Sequence, residues 1–385
     1  MICRLTETSL LVGLFVLPFS KSGAEIATTL AIVLWTASGL LSCRRPHGGI
    51  DVWPYTLFLL AGAVSMAFTD PSLGLEKGFR GLLKWVQYLL LFFACRDLLR
   101  EEGFRRRMVT TFLVSAAFLT LNGVWQMVSG VDLVKGYSID IPGRFQRMRS
   151  SLGSPNGLAA FYLFALPLAF HRWIERKKWD ALSAGLAALM LGFAYGFLAT
   201  LSRAAFLGFV VSTFVFIVTR VKLRYVLIAG AIGAAALFSS EMMRENFVGS
   251  LSPRDITIGE RVRFWDATAR MVGQKPLLGH GLNTFYRVFP RYLPAEETYR
   301  GYAHNSYFQI AAENGLLGIL FFLLPLAALF RKSGPDPTGL KPALGVAIGA
   351  FLIHAFFDNH FFALQTAVLF WIFWGMHVSF DAKKP

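Results

Sequence analysis

Charge is scarce in this chain. Asp, Glu, Lys and Arg make up 16% of its 385 residues, whereas a soluble domain of ordinary composition carries about a quarter. Acids are the rarer kind, 23 against 38 Lys and Arg. Only three cysteines are present, Cys3, Cys43 and Cys95, and no Cys/His spacing suits a metal site. There is no glycine-rich nucleotide loop and no Asp-x-Asp pair of the kind that holds a metal-bound sugar nucleotide. A reaction driven by ATP or a nucleotide sugar is therefore not expected. No cofactor, metal or nucleic-acid partner is implied. Internal repeats and low-complexity segments are also missing.

What the chain has instead is apolar sequence in long runs, 55% of it hydrophobic, with 37 Phe and nine Trp. Such a composition points to a membrane protein. A bilayer core about 30 Å thick needs roughly 20 mostly apolar helical residues, and about 17 suffice. Candidate spans lie near 7–20, 24–42, 53–68, 81–94, 108–129 and 157–172, then 181–200, 203–219, 225–239, 304–330, 341–357 and 360–379. Backbone groups in lipid must be paired within the segment, and the runs lack the alternation of a barrel, so helices are expected. The fold class is thus an all-α polytopic membrane protein with about 12 transmembrane helices. Nine helices fall in 1–239, a long loop with short amphipathic helices in 240–303, and three helices in 304–385. No small-residue cleavage site follows the first run and a second span comes at once, so that run is expected to stay as a helix.

Twelve spans place both termini on one side. The short loops there carry Arg4, Arg44, Arg45, Arg96, Arg100, Arg105, Arg106 and Arg107. Arg172, Arg176, Lys177, Lys178, Arg220, Lys222, Arg224, Arg331, Lys332, Lys341, Lys383 and Lys384 complete the set, 20 of the 38 basic residues. Basic residues concentrate in short cytoplasmic loops, so this side is expected to be cytoplasmic. All three cysteines fall at that side, which leaves none for an outer disulfide. Of the basic residues outside, nine sit in the 240–303 loop. Cations placed against the topological bias suggest an anionic ligand. The alternative is that several pair with Glu241, Glu245, Asp255, Glu260, Asp266, Glu296 and Glu297 in the same loop.

Within the loop, Thr257 and Glu260 form a capping box, and Val262, Trp265, Ala269 and Val272 recur at helical spacing until Gly273 and Pro276. An amphipathic helix near 258–273 is expected, with Arg261 one turn before Trp265 and Arg263 and Arg270 on another face. Ser202-Arg203 starts a helix, where unpaired N–H groups and the dipole favour an anion. Arginine there grips two phosphate oxygens at once, unless it simply reaches to headgroups. Lys77, Arg80 and Lys84 make a similar stripe, for which the headgroup reading is the stronger. His304 stands where the chain re-enters the membrane, and the helix dipole favours its neutral form there. That is what a general base for a sugar hydroxyl requires, although a lone histidine at a helix end is more often a cap. Glu313 lies within the bilayer, and an orienting pair with a neighbouring helix is its expected role, with His354 and Asp358 as candidate partners. His280, within Gly279-His280-Gly281, is a candidate second polar participant.

These residues form a familiar set. Arg261-x-x-x-Trp265, Pro276-Leu-Leu-Gly-His-Gly-Leu-Asn-Thr-Phe and His304-Asn-Ser-Tyr-Phe-Gln-Ile-Ala-Ala-Glu-Asn-Gly resemble the O-antigen ligase and polymerase superfamily, most closely its ligase branch. Ser154-Pro-Asn156-Gly and Thr200-Leu-Ser-Arg203 resemble the family's earlier motifs. The resemblance covers roughly 150–325. It implies a metal-independent, inverting glycosyltransferase that passes O-antigen glycan from undecaprenyl diphosphate to lipid A-core oligosaccharide, on the periplasmic face of a Gram-negative inner membrane. His304 would then be the base, and Arg203 and Arg261 would hold the diphosphate. Arg263, Arg80, Lys84, Asn305 and Asn156 would be further substrate-binding groups. The nearest alternative is the polymerase, which extends glycan on its lipid carrier; a protein O-oligosaccharyltransferase fits less well. A lipid-linked glycan flippase is the rival from another class.

Overall fold

The computed structural model describes residues 2–41, 52–70, 72, 75–139, 146–218, 256–294, 301–330, 336 and 338–381. Helices dominate them. α1 spans Ile2–Val16, α2 Lys21–Leu41, α3 Val52–Ala67, α4 Leu75–Leu98 and α5 Glu102–Ser129. α6 follows at Pro155–Glu175, α7 at Ala181–Ala199 and α8 at Arg203–Val218. α9 is Ile256–Gln274, α10 the single turn Phe285–Val288, α11 Ser306–Leu323, α12 Leu340–Ala355 and α13 Leu364–Ser379. Among the described residues the only β pairing is a single bridge between Val131 and Ser138.

Eleven of the twelve apolar stretches expected as spans fall on helices, and the ninth, 225–239, lies outside the described residues. Among the described residues, five helical segments are long and apolar enough to cross a membrane: Lys21–Leu40, Glu102–Ser129, Pro155–Glu175, Ala181–Ala199 and Ser306–Ala327. Four shorter apolar helices accompany them, Trp53–Ala67, Arg203–Ile217, Leu340–Ala355 and Leu364–Ser379.

The starts of the long helices are chemically marked. Ser154 caps α6 by accepting from Gly157 N, with Pro155 at the first position, and Asp180 caps α7 by accepting from Ser183 N. Gly130, in the left-handed region, ends α5. α13 is apolar on every side, and all of Gln365 to Ser379 is buried, so it runs through the middle of the bundle. It packs on α4, α6 and α12, and Trp374 Nε1 donates to Tyr55 Oη of α3 at 2.7 Å. Around this centre, α8 lies on α12, α3 on α11, α7 on α6, and α1 on α2 and α5. Large apolar side chains such as Ile26, Leu121 and Leu191 remain exposed on the outside, as a lipid-facing surface requires.

The amphipathic helix expected near 258–273 is α9, which starts at Ile256, ahead of Thr257. Its buried face differs from the expected one. Phe264, Ala267, Thr268 and Met271 are buried, whereas Val262 is 55% exposed and Ala269 is also exposed. The reason is a small separate core in which Phe264, Ala267 and Met271 meet Phe285, Val288, Phe289, Ala303 and Ala312. Trp265 turns the other way, edge-on to Phe308 and Phe356 and tilted against Phe357. α9 is thereby fixed to the start of α11 and to the chain after α12.

Candidate functional site

The segment Pro276–Phe285 and the run Glu313-Asn314-Gly315 form one joint. α11 breaks at Gly315, whose φ of 69° and ψ of −174° are not helical. The carbonyls freed there are taken by the loop: His280 N donates to Ala312 O at 2.9 Å and Gly281 N to Glu313 O at 3.0 Å. In return Leu316 N donates to Pro276 O at 2.7 Å. A Cβ on Gly315 would lie 2.0 Å from Leu277 O, so only glycine permits the approach. The Glu313 carboxylate accepts from Asn283 N at 3.0 Å and Phe285 N at 3.3 Å. Its partner is therefore loop backbone rather than a neighbouring helix, because the break in α11 aims it at the free N–H groups that open α10.

The same small core fixes His304. Ala303 is fully buried in it, and Asn305 caps α11 by accepting from Tyr307 N and Phe308 N, both at 3.0 Å. Asn305, expected among the substrate-binding groups, is a buried cap whose Oδ1 is already occupied. Between these anchors His304 takes a φ of 50°, a strained position for a residue with a side chain. Its ring stacks on Phe264, with centroids 6.2 Å apart at 18°. Nδ1 faces Asp358 Oδ1 at 3.6 Å, and the side chain is 36% exposed.

Asp358 lies in the turn between α12 and α13 and is held on several sides. Oδ2 accepts from Asn156 Nδ2 at 2.6 Å, Oδ1 from Asn359 N at 2.8 Å, and its carbonyl from Ser306 Oγ at 2.7 Å. Burial would push this carboxyl up, but its contact with His304 and the other imidazoles around it hold it well below the usual range. Asn156 Oδ1 accepts in turn from Arg147 Nη2 at 3.1 Å and from Ser202 Oγ at 3.0 Å. Ser202 Oγ stands 3.3 Å from His354 Nε2, and His354 Nδ1 is 2.9 Å from His360 Nε2. Arg147 Nε also donates to Thr200 O at 2.7 Å. The starts of α6, α8 and α11 and the turn before α13 thus meet in one hydrogen-bonded network.

Of the residues picked out in the sequence, His304, Asn156, His354 and Asp358 belong to that network directly, the last two here and not beside Glu313. Arg203 opens α8 beside Ser202, half-buried, after Leu201 at a φ of 48°. Arg261, on α9, is near enough for its charge to act on buried His354, as Arg147 does. Arg263 sits on the exposed face of α9. Arg80 and Lys84 are engaged elsewhere, with Glu76 and Glu25 at 2.5 Å each, and neither touches the His304 network. His280 donates from Nε2 to Met271 O at 2.9 Å, and burial lowers its basicity. It lines a cavity of about 820 Å³ together with Asp70, Arg270, Lys275, Arg291 and Tyr292. There Arg270 pairs with Asp266 at 3.1 Å and Arg291 with Asp70 at 3.6 Å, so part of the basic surplus is met by local acids. Asp358 as the partner of His304, and Arg147 behind Asn156, were not assigned from the sequence.

The arrangement can take a proton at His304 Nε2 and return its effect to a fixed carboxylate, since a carboxylate at Nδ1 favours the tautomer with Nε2 unprotonated. Residues 186–323 match the family model described as O-antigen ligase. No curated protein matches the chain.

Proposed function

On the premise that the chain belongs to the O-antigen ligase/polymerase superfamily, as the match over 186–323 supports, we propose that it is a ligase acting at His304. The superfamily comprises membrane-embedded, glycosyltransferase-like enzymes of lipid-linked polysaccharides. The donor in this reading is O-antigen glycan on undecaprenyl diphosphate and the acceptor is lipid A-core oligosaccharide. One observation carries it: His304 is backed by Asp358 at 3.6 Å within a network that also contains the turn leading into Arg203.

The chemistry follows from those positions. An acceptor hydroxyl attacks the anomeric carbon of the donor glycan from the face opposite the diphosphate, and its proton passes to His304 Nε2. The new glycosidic C–O bond forms as the bond to diphosphate breaks, with inversion. The imidazolium that results is stabilised by the Asp358 carboxylate. Charge develops on the departing diphosphate, and Arg203 and Arg261 stabilise it, Arg203 with the help of the α8 N-terminus. Asn156 positions Asp358 and does not touch the substrate. The donor's own linkage supplies the driving force.

The basic clusters orient the site. α6 starts at Pro155, next to the Asn156 that Asp358 joins to His304, and, with 21 residues, extends about 30 Å, the thickness of a bilayer core. Arg172, Arg176, Lys177 and Lys178 therefore stand at the far end, and the bias of basic residues makes that end cytoplasmic and the His304 end periplasmic.

The test combines purified protein with lipid-linked glycan and lipid A-core, with no ATP added. Ligated product with wild type, and none with His304→Ala or Arg203→Ala, is the expected result. Longer lipid-linked glycan without transfer to core would make the enzyme the polymerase. Full turnover by His304→Ala would overturn the assigned base.

A further inference from the structure

At the end of the bundle opposite His304, α5 and α7 leave a groove of about 820 Å³ between them. One wall is the stripe on α5 that runs from Thr110 to Leu121, and Leu182, Leu186 and Leu189 of α7 form the other. The residues from Thr110 to Leu121 cover about 16 Å of helix, close to half of a bilayer core about 30 Å thick. The apolar part of the groove is therefore as deep as one leaflet.

Its mouth is cationic. Arg106, Arg172, Arg176, Lys177 and Lys178 all line it. Three of them are engaged with acids: Arg106 and Arg172 meet Glu175 at 2.9 and 2.7 Å, and Arg176 meets Asp180. Lys177 and Lys178, exposed in the turn between α6 and α7, pair with no carboxylate among the described residues. Beside them Trp179 is 74% exposed and stands edge-on to Trp173, as indoles do at a membrane–water interface.

An apolar channel one leaflet deep, ending in two uncompensated cations at headgroup level, matches one kind of molecule. We propose that this groove is a binding site for an anionic phospholipid, with its acyl chains between α5 and α7 and its phosphate on Lys177 and Lys178. A soluble phosphate would leave the apolar walls unused. A long polyprenyl chain would outrun a groove one leaflet deep. The assignment does not depend on the role of His304.

The full-length protein, purified in mild detergent, can be examined by native mass spectrometry. Phosphatidylglycerol and phosphatidylethanolamine with matched chains are added in equal amounts, and glycerol phosphate forms a third arm. Preferential retention of phosphatidylglycerol is expected. A basic residue at the headgroup contributes about 1 kcal/mol, or about five-fold in affinity, so Lys177→Gln with Lys178→Gln should lower that retention about 25-fold. Both lysines are exposed, which leaves folding intact. Leu186→Trp, which fills the groove, should release both lipids with the lysines in place. Equal retention of the two lipids, unchanged retention in the double variant, or full displacement by glycerol phosphate would each overturn the site. If Leu186→Trp fails to fold, the double variant decides alone.

Discussion

Replacing Asp358 by asparagine acts on the contact that the catalytic reading depends on. The carboxylate faces His304 Nδ1 across 3.6 Å and is held by Asn156 Nδ2 at 2.6 Å and Asn359 N at 2.8 Å. Opposite unit charges at that separation attract by about 4–5 kcal/mol at an effective dielectric of about 20. The His304 side chain is 36% exposed, so screening reduces this to about 3 kcal/mol. The attraction exists only once the imidazole has accepted the hydroxyl proton, which means that it stabilises the transition state and not the resting site. Each 1.36 kcal/mol is worth tenfold in rate, so Asp358→Asn should lower kcat about a hundredfold. An amide N–H turned toward Nδ1 would also favour the wrong tautomer, which brings the loss toward about 10³.

The assay is steady-state transfer of glycan from the lipid-linked donor, with kcat and KM measured separately. The fall should lie in kcat, since neither substrate touches Asp358 in the proposed geometry. Asparagine keeps the shape of the buried side chain, and a melting temperature within a few degrees of wild type would exclude unfolding as the cause. A variant with kcat within about threefold of wild type would refute the pairing as a catalytic device, whatever its effect on stability.

Three further outcomes follow from the same geometry. Gly315→Ala puts a Cβ 2.0 Å from Leu277 O at a φ of 69°, and should cost about 3 kcal/mol or more; a melting temperature unchanged in detergent would contradict the joint. Glu313→Ala leaves the buried N–H of Phe285 and the half-buried N–H of Asn283 without their acceptor, at roughly 1–3 kcal/mol for the first and less for the second, read as a lower melting temperature and faster proteolysis of the 276–294 segment. The Asp358 carboxyl is depressed in the folded protein, so its contribution is present above the ordinary carboxylate range near about 4 and lost only as pH falls through the depressed value. The melting-temperature gap between wild type and Asp358→Asn should thus be at least as large at about pH 5.5 as at about pH 8, and a gap that narrows on acidification over that interval would go against it.

The helices were readable because apolar runs of bilayer length survive any tertiary arrangement, and caps such as Ser154 and Asp180 act locally. Faces were harder. In α9 both Val262-Trp265-Ala269-Val272 and Phe264-Ala267-Thr268-Met271 satisfy helical spacing, and only the presence of Phe285 and Phe289 beside the second set decides between them. His304, Arg203 and Arg261 stood out as chemically demanding residues at helix starts or in a basic loop. Their supporting group did not, because it is assembled from turns far apart in sequence: Asn156, Ser202 and Asp358 meet through hydrogen bonds that no periodicity reports. Sequence alone therefore offers Asp358 and His354 as partners for Glu313, whereas in the structure Glu313 is satisfied by the loop that the glycines around it admit.

Backbone strain hides the rest. Leu201, Asn283 and His304 all take φ values between 48° and 59°, and of these only Asn283 is of a type that visits the left-handed region at all readily. Each such residue costs about 1–3 kcal/mol and persists only where its surroundings over-determine it. Each of the three adjoins a joint described above: Leu201 precedes Ser202, Asn283 donates to Glu313, and His304 lies between buried Ala303 and the Asn305 cap. The signal that was present lay in composition. Asp358-Asn359-His360 is a dense polar run at the end of an apolar helix, in a chain where only 16% of residues are charged. Polar groups placed there must be satisfied by one another, which is a reason to seek the partner of His304 among them.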